Sequence, residues 1–220
     1  MKTITQNLQT LKNSLKDEPQ VNIVVVTKTR SPKEVEEAIR AGAKSIGENR
    51  VQEAEQKFPK IRNIDKAEKR LIGRLQSNKV NKAIKIFDTI DSVDSLRLSQ
   101  KISKAAENTG KRQRVLLQVN SSGESTKSGF DPSNKKDILE CVDMPGIVVE
   151  GLMTMGPNTK NTSLIAKSFR KTKELFDELR DVGGINIKTL SMGMSGDYLI
   201  AVSEGSTSIR VGTAVFGTRS

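Results

Sequence analysis

Two rhythms of apolar residues alternate along this chain: short runs rich in β-branched residues, and longer polar stretches in which an apolar residue returns every third or fourth position. The first such run, Val21 to Val26 (VNIVVV), is apolar at all but one position and reads as a strand buried on both faces. It closes in Thr27 and Lys28. Ser31-Pro32-Lys33-Glu34 follows at once, supplying a cap, a proline suited to the first helical position and a glutamate that completes a capping box. Lys28 therefore stands at the carboxyl end of a core strand.

The same patterns predict further strands at 43–48, 70–75, 87–93, 115–120, 146–155, 188–192 and 208–213. Between them fall helices. One carries Val35, Ala38 and Ile39 and stops at Gly42; others cover 49–58 and 76–84, the latter with Ser77 or Asn78 as cap. Asp94 is expected to cap a helix that faces Leu98, Ile102, Ala105 and Ala106 inward and ends at Gly110, and three more helices span about 132–141, 163–180 and 195–204. Residues 2–17 form a leading amphipathic helix with Ile4, Leu8, Leu11 and Leu15 on one face.

Eight strands alternating with helices define an α/β chain with a parallel sheet, and right-handed crossovers allow closure into a single (β/α)8 TIM barrel over 21–216. The leading helix would cover the seam between strands one and eight. An open doubly wound sheet is the alternative. No linker or low-complexity tract interrupts the sequence, so one domain over 1–220 is expected.

Composition narrows the chemistry. The chain has 220 residues and no histidine, which removes Ser-His-Asp and Cys-His devices and the usual imidazole metal ligands. A lone cysteine, Cys141, excludes an internal disulfide and reads as a small core residue. With no apolar run long enough to span a bilayer and no signal-peptide core at the amino end, a cytoplasmic protein is expected. The net charge of +11 is concentrated in 57–85, where ten Lys or Arg face only Asp65 and Glu68. Such a patch points to an anionic partner or to simple solubility. Without tryptophan and with one tyrosine, a stacking platform for single-stranded nucleic acid is hard to assemble, so nucleic acid is not the expected partner.

In parallel α/β folds, ligands bind at the carboxyl edge of the strands. Lys28 there is either a solvated cation or, where its surroundings strip water from the charged form, a nucleophilic amine for carbonyl compounds. Ser191-Met192-Gly193-Met194-Ser195-Gly196-Asp197 and Ile209-Arg210-Val211-Gly212-Thr213 follow strands seven and eight, where this barrel class recurrently holds phosphate. Each alone could be an ordinary turn; their occurrence at two consecutive strand ends favours an anion site. A phosphorylated carbonyl compound condensing with a lysine describes pyridoxal 5'-phosphate.

The segments TKT (27–29), GEN (47–49), IGRLQSNK (72–79), SVDS (92–95), LLQVN (116–120), KSGF (127–130), GLMTM (151–155), LSMGMSGD (190–197) and RVGTAVFGTR (210–219) resemble the YggS/PROSC family. These pyridoxal phosphate homeostasis proteins are related to the amino-terminal barrel of alanine racemase. The resemblance covers nearly the whole chain in order. It implies a monomer that holds pyridoxal 5'-phosphate as an internal aldimine on Lys28. The phosphate would rest on Ser195, Gly212 and Thr213 with Met194 beside it, while Arg210 faces the pyridine nitrogen and Asn49 lies near the ring. It also implies a role in buffering or delivering the cofactor to apo enzymes rather than robust turnover, with an amino-acid racemase or lyase as the alternative. Arg74 departs from the family, where histidine or proline usually precedes LQSNK. Lys127 is open to two readings, a cofactor contact or a loop cation.

Overall fold

A computed structural model describes residues 3–124, 127–182 and 187–217. Eight parallel strands close in chain order: β1 (Asn22–Val26), β2 (Ser45–Glu48), β3 (Glu68–Leu71), β4 (Thr89–Val93), β5 (Gln113–Val119), β6 (Ile147–Thr154), β7 (Thr189–Ser191) and β8 (Ser208–Val211). Closure is direct, since Val24 of β1 is in register with Ser45 of β2 on one side and Arg210 of β8 on the other. The expected barrel is therefore the observed one, and the open sheet is excluded.

Helices α1 (Ile4–Ser14), α2 (Pro32–Arg40), α3 (Val51–Lys57), α4 (Val80–Ile86), α5 (Leu96–Glu107), α6 (Lys135–Val142), α7 (Thr162–Asp181), α8 (Tyr198–Ser203) and α9 (Thr213–Phe216) surround the strands. Local chemistry explains most of their ends. Ser31 and Glu34 form the capping box that opens α2, and Gly42 adopts φ +90° just beyond it. The amphipathic face of α1 covers the seam as expected: Leu8 and Leu11, with Leu15 just past the helix end, pack with Val21, Val25, Ile209, Val211 and Val215. Each leucine so buried contributes roughly 2 kcal/mol, more than the ~1 kcal/mol of a good cap, so packing decides where α1 lies.

Several expected boundaries move. The third strand is Glu68–Leu71, not 70–75, because Glu68 and Arg70 at its start turn toward the barrel interior. Ser95, not Asp94, caps α5, accepting from the Leu98 amide, and neither Ser77 nor Asn78 caps α4, which follows a short 3-10 turn at Ser77–Lys79. The helix after strand seven begins at Tyr198 rather than 195, leaving 192–197 free as a loop. A four-residue helix, α9, continues from Gly212 where strand eight was expected to persist.

The bore is unusually polar for a barrel core. Val24, Leu116 and Met153 are buried yet belong to neither apolar cluster under the helices, so they fill the interior. Around them the register aligns Gly47, Arg70, Thr89 and Arg114 on one side, and Arg210 beside Val24. Arg70 donates from Nε to both oxygens of Asp91 (3.2 and 2.9 Å) and from Nη1 to Glu68 at 2.6 Å, and Glu68 also receives Arg114 at 2.6 Å. Burial opposes the Arg70 charge, but Asp91 and Glu68 outweigh it and raise the guanidinium above its ordinary value. Two of the ten cations of 57–85, Lys57 and Arg70, are thus buried in ion pairs, and Lys69 and Lys82 also pair with carboxylates.

Candidate functional site

Strand alternation places Val24 and Val26 on the bore side, and the chain leaves β1 through Thr27 into the turn that carries Lys28. Lys28 is half-buried one residue past Thr27, and Thr29 turns the chain sharply with φ +62°, a left-handed conformation rare for a β-branched residue. Alternation likewise carries Ser45 and Gly47 toward the bore, and Asn49 follows at the end of β2. Asn49 Oδ1 is buried and has no hydrogen-bond partner among the described residues. Gly73 makes room for this strand end, since a Cβ there would lie 2.3 Å from the Asn49 carbonyl oxygen.

Across the mouth, Gly193 takes φ +92° and lies so close to α8 that a Cβ would meet that of Ala201 at 2.6 Å. Its carbonyl accepts the Arg210 amide at 2.9 Å, tying the loop after β7 to β8. Ser195 then reaches the start of α9, where its Oγ accepts from the Gly212 and Ala214 amides, each at 3.2 Å. Thr213 is exposed between these two donors. A hydroxyl and two converging amides are the groups a phosphate requires. Met194 is 43 % exposed beside them, with its amide donated to Asp197 at 2.6 Å.

Arg210 lies below this loop, buried, with Nη1 donating to the Ser191 carbonyl (2.9 Å) and Oγ (2.7 Å) and Nη2 to the Thr154 carbonyl at 2.8 Å. Burial pushes its guanidinium down to about 10, against the pull of Asp91 and Asp197, so it stays charged at neutral pH. The planar fork is fixed on three sides.

The remaining sequence candidates each have partners of their own. Arg74 is exposed and approaches Asp94 at 3.7 Å. Lys127 donates to the Gly156 carbonyl at 2.7 Å and to Glu124 at 3.0 Å, so its ammonium is tied to its own loops. Tyr198 shares a 3.1 Å hydrogen bond with Ser14 of α1. Cys141 is buried, as expected of a core residue, its thiol donating to Ser99 Oγ at 3.1 Å. No cluster of residues able to hold a metal occurs among the described residues.

Behind Lys28, on the helix side, is a charged cluster that sequence reasoning did not find. Lys57 of α3 donates to Glu48 (2.8 Å), to Glu53 (2.7 Å) and to the Thr27 carbonyl (2.8 Å). Burial raises the Glu48 carboxyl above its ordinary value even though Lys57 and Thr27 donate to it. Burial also opposes the Glu53 charge, but Lys57 and the Thr29 amide outweigh it and hold that carboxyl below its ordinary value. The only signal in the sequence was the i, i+4 spacing of Glu53 and Lys57.

The arrangement offers a half-buried amine, an anion cradle and a fixed guanidinium around one barrel mouth. Among known proteins, the whole chain, residues 1–220, matches the family described as alanine racemase, N-terminal domain. It is 40 % identical over 194 residues to the pyridoxal phosphate homeostasis protein of Aquifex aeolicus, covering 88 % of this chain and 85 % of that protein. The structure of PipY from Synechococcus elongatus with PLP bound superposes with a TM-score of 0.90 at 33 % identity, over 98 % of this chain and 100 % of that one. An alanine racemase from Clostridium difficile shares the fold, with a TM-score of 0.81 at 20 % identity over 99 % of this chain and 57 % of its own. No helix among the described residues is long and apolar enough to cross a membrane. The chain belongs to the pyridoxal phosphate homeostasis protein family, a branch of the proteins built on the alanine racemase N-terminal domain.

Proposed function

We propose that this chain binds pyridoxal 5'-phosphate through Lys28 and serves intracellular homeostasis of the cofactor, with little or no turnover. The observation that carries the reading is the meeting of Ser195 with the Gly212 and Ala214 amides at the same barrel mouth as the half-buried Lys28. The group's requirements fit the residues present: a hydroxyl and amides, including Thr213, for the phosphate, and the unpartnered Asn49 Oδ1 beside the ring. Met194 would flank the phosphate. When bound, the cofactor supplies an aldehyde that condenses with an amine and releases water, and a ring that can accept electrons.

Arg210 argues for the modest role. A charged guanidinium facing the pyridine nitrogen opposes protonation there, which leaves the ring a weak electron sink. The chain's only tyrosine shares a hydrogen bond with Ser14, which disfavours the racemase or lyase alternative, since racemisation needs an acid and a base on opposite faces of the substrate. In this reading a monomer suffices, because every proposed contact comes from one chain, and the partners are cytoplasmic apo enzymes that receive the cofactor. Nucleic acid is not the expected partner, because aromatic side chains for stacking are scarce.

The test is a visible spectrum of the purified protein before and after borohydride, with mass mapping of the modified peptide. An imine band that borohydride fixes onto Lys28, and that Lys28→Ala abolishes, is the expected result. A protein that stays colourless in excess pyridoxal 5'-phosphate and gains no adduct at position 28 would overturn the reading.

A further inference from the structure

The ammonium of Lys57 uses its whole donor capacity on three acceptors. Two are carboxylates, Glu48 and Glu53; the third is the carbonyl of Thr27, immediately before Lys28. The residue immediately after Lys28 is held by the same cluster, because the Thr29 amide donates to Glu53 Oε1 at 2.5 Å. The Thr27 hydroxyl adds a 2.6 Å bond to Glu48 Oε1. Both peptide groups flanking Lys28 are therefore tied to α3 and to the end of β2.

Stability alone does not account for this cluster. The Lys57 side chain is 8 % exposed and that of Glu48 not at all, and Glu48 Oε2 has no partner among the described residues. Buried ion pairs of this kind are commonly no better than apolar residues of the same size. Thr29 is also held at φ +62°, a strained conformation that persists only where the surroundings impose it and that collects at ligand sites. The strain, the unpartnered carboxylate oxygen and the buried ammonium all coincide on the one turn that carries the candidate amine.

We infer that Glu48, Glu53 and Lys57 are positioning residues that lock the turn at Thr27–Thr29 so that the Lys28 amine is presented to an aldehyde held in the barrel mouth. The inference rests on the proposed function and deepens it. Its action is on the amine and not on the phosphate, since the phosphate cradle belongs to the loops after β7 and β8. The clamp should therefore matter for a ligand that condenses with Lys28 and be indifferent to one that cannot.

Two ligands separate these cases: pyridoxal 5'-phosphate, and pyridoxine 5'-phosphate, which carries an alcohol in place of the aldehyde. In Lys57→Met the affinity for the aldehyde is expected to fall roughly tenfold to hundredfold, the range for a displaced reacting group, with slower appearance of the borohydride-reducible link. Affinity for the alcohol should change by less than about twofold, a difference too small to reflect a lost contact. Glu53→Ala, at a partly exposed side chain, frees the Thr29 amide and should show the same selectivity; it carries the test alone if Lys57→Met does not fold. Equal weakening of both ligands, or no weakening of either, overturns the inference. A wild-type protein that forms no link at Lys28 would instead overturn the proposed function, so the two failures are distinct.

Discussion

Replacing Asp91 by asparagine removes a charge from the bore with almost no change of shape. Asp91 is fully buried and faces Arg70, whose side chain is 5 % exposed, with Arg210 contributing further positive potential. Once the charge is gone, Arg70 keeps Glu68 as a partner, but Arg210 keeps only neutral acceptors among its hydrogen bonds. Breaking one side of a buried pair typically costs about 3–5 kcal/mol. Asparagine still accepts from Arg70 Nε, which places the expected loss near ~3 kcal/mol. For a chain of this size each kcal/mol corresponds to about 2–4 °C in Tm, so a fall of roughly 6–12 °C is expected. Urea titration followed by circular dichroism should show a lower midpoint at unchanged slope. The apolar double variant Asp91→Leu/Arg70→Met should recover most of the loss, because Arg114 continues to serve Glu68. A loss below about 1 kcal/mol, the worth of an exposed pair, would refute the argument that this pair is desolvated.

Three further outcomes are expected. Burial opposes the Glu68 charge, but Arg70 and Arg114 outweigh it and hold the carboxyl below its ordinary value; a depressed carboxylate stabilises the fold above its unfolded pKa of ~4.3 and loses that contribution as pH falls through the lower folded value. Unfolding free energies measured down the acid limb should therefore drop less steeply in Glu68→Gln. Burial pushes the Cys141 thiol up to about 11, so at pH 8 a thiol reagent should label the native protein only as fast as it unfolds, and prompt labelling would contradict the assignment. Gly73→Ala should destabilise by about 1–3 kcal/mol, because its Cβ would collide with the Asn49 backbone, and it should weaken cofactor retention more than a substitution at exposed Arg74 does.

Legibility in the sequence followed from which face of each element is apolar. The valine run, the capping box at Ser31 and the leucine stripe of α1 were readable because their buried faces are hydrocarbon. Strand three was misplaced because Glu68 and Lys69 look like surface residues, and only the closed barrel reveals that Glu68 pairs with Arg70 and Arg114 while Arg70 pairs with Asp91. Lys57 was counted within a basic patch for the same reason. The two phosphate-type loops were legible from their glycines and hydroxyls, whereas the contact of Ser195 with Gly212 joins positions that no spacing rule connects. The four residues of α9 were too few to show a period.

The dependence of this mouth on α1 has a bearing on synthesis. Asn7 donates to the Val215 carbonyl across a separation of 208 residues, and Ser14 meets Tyr198 across 184. The helices that back the anion cradle are thus braced by an element that leaves the ribosome well before they do. A nascent polypeptide can build most of its strands and still be unable to grip the vitamin; competence arrives only when the two extremities of the fold meet.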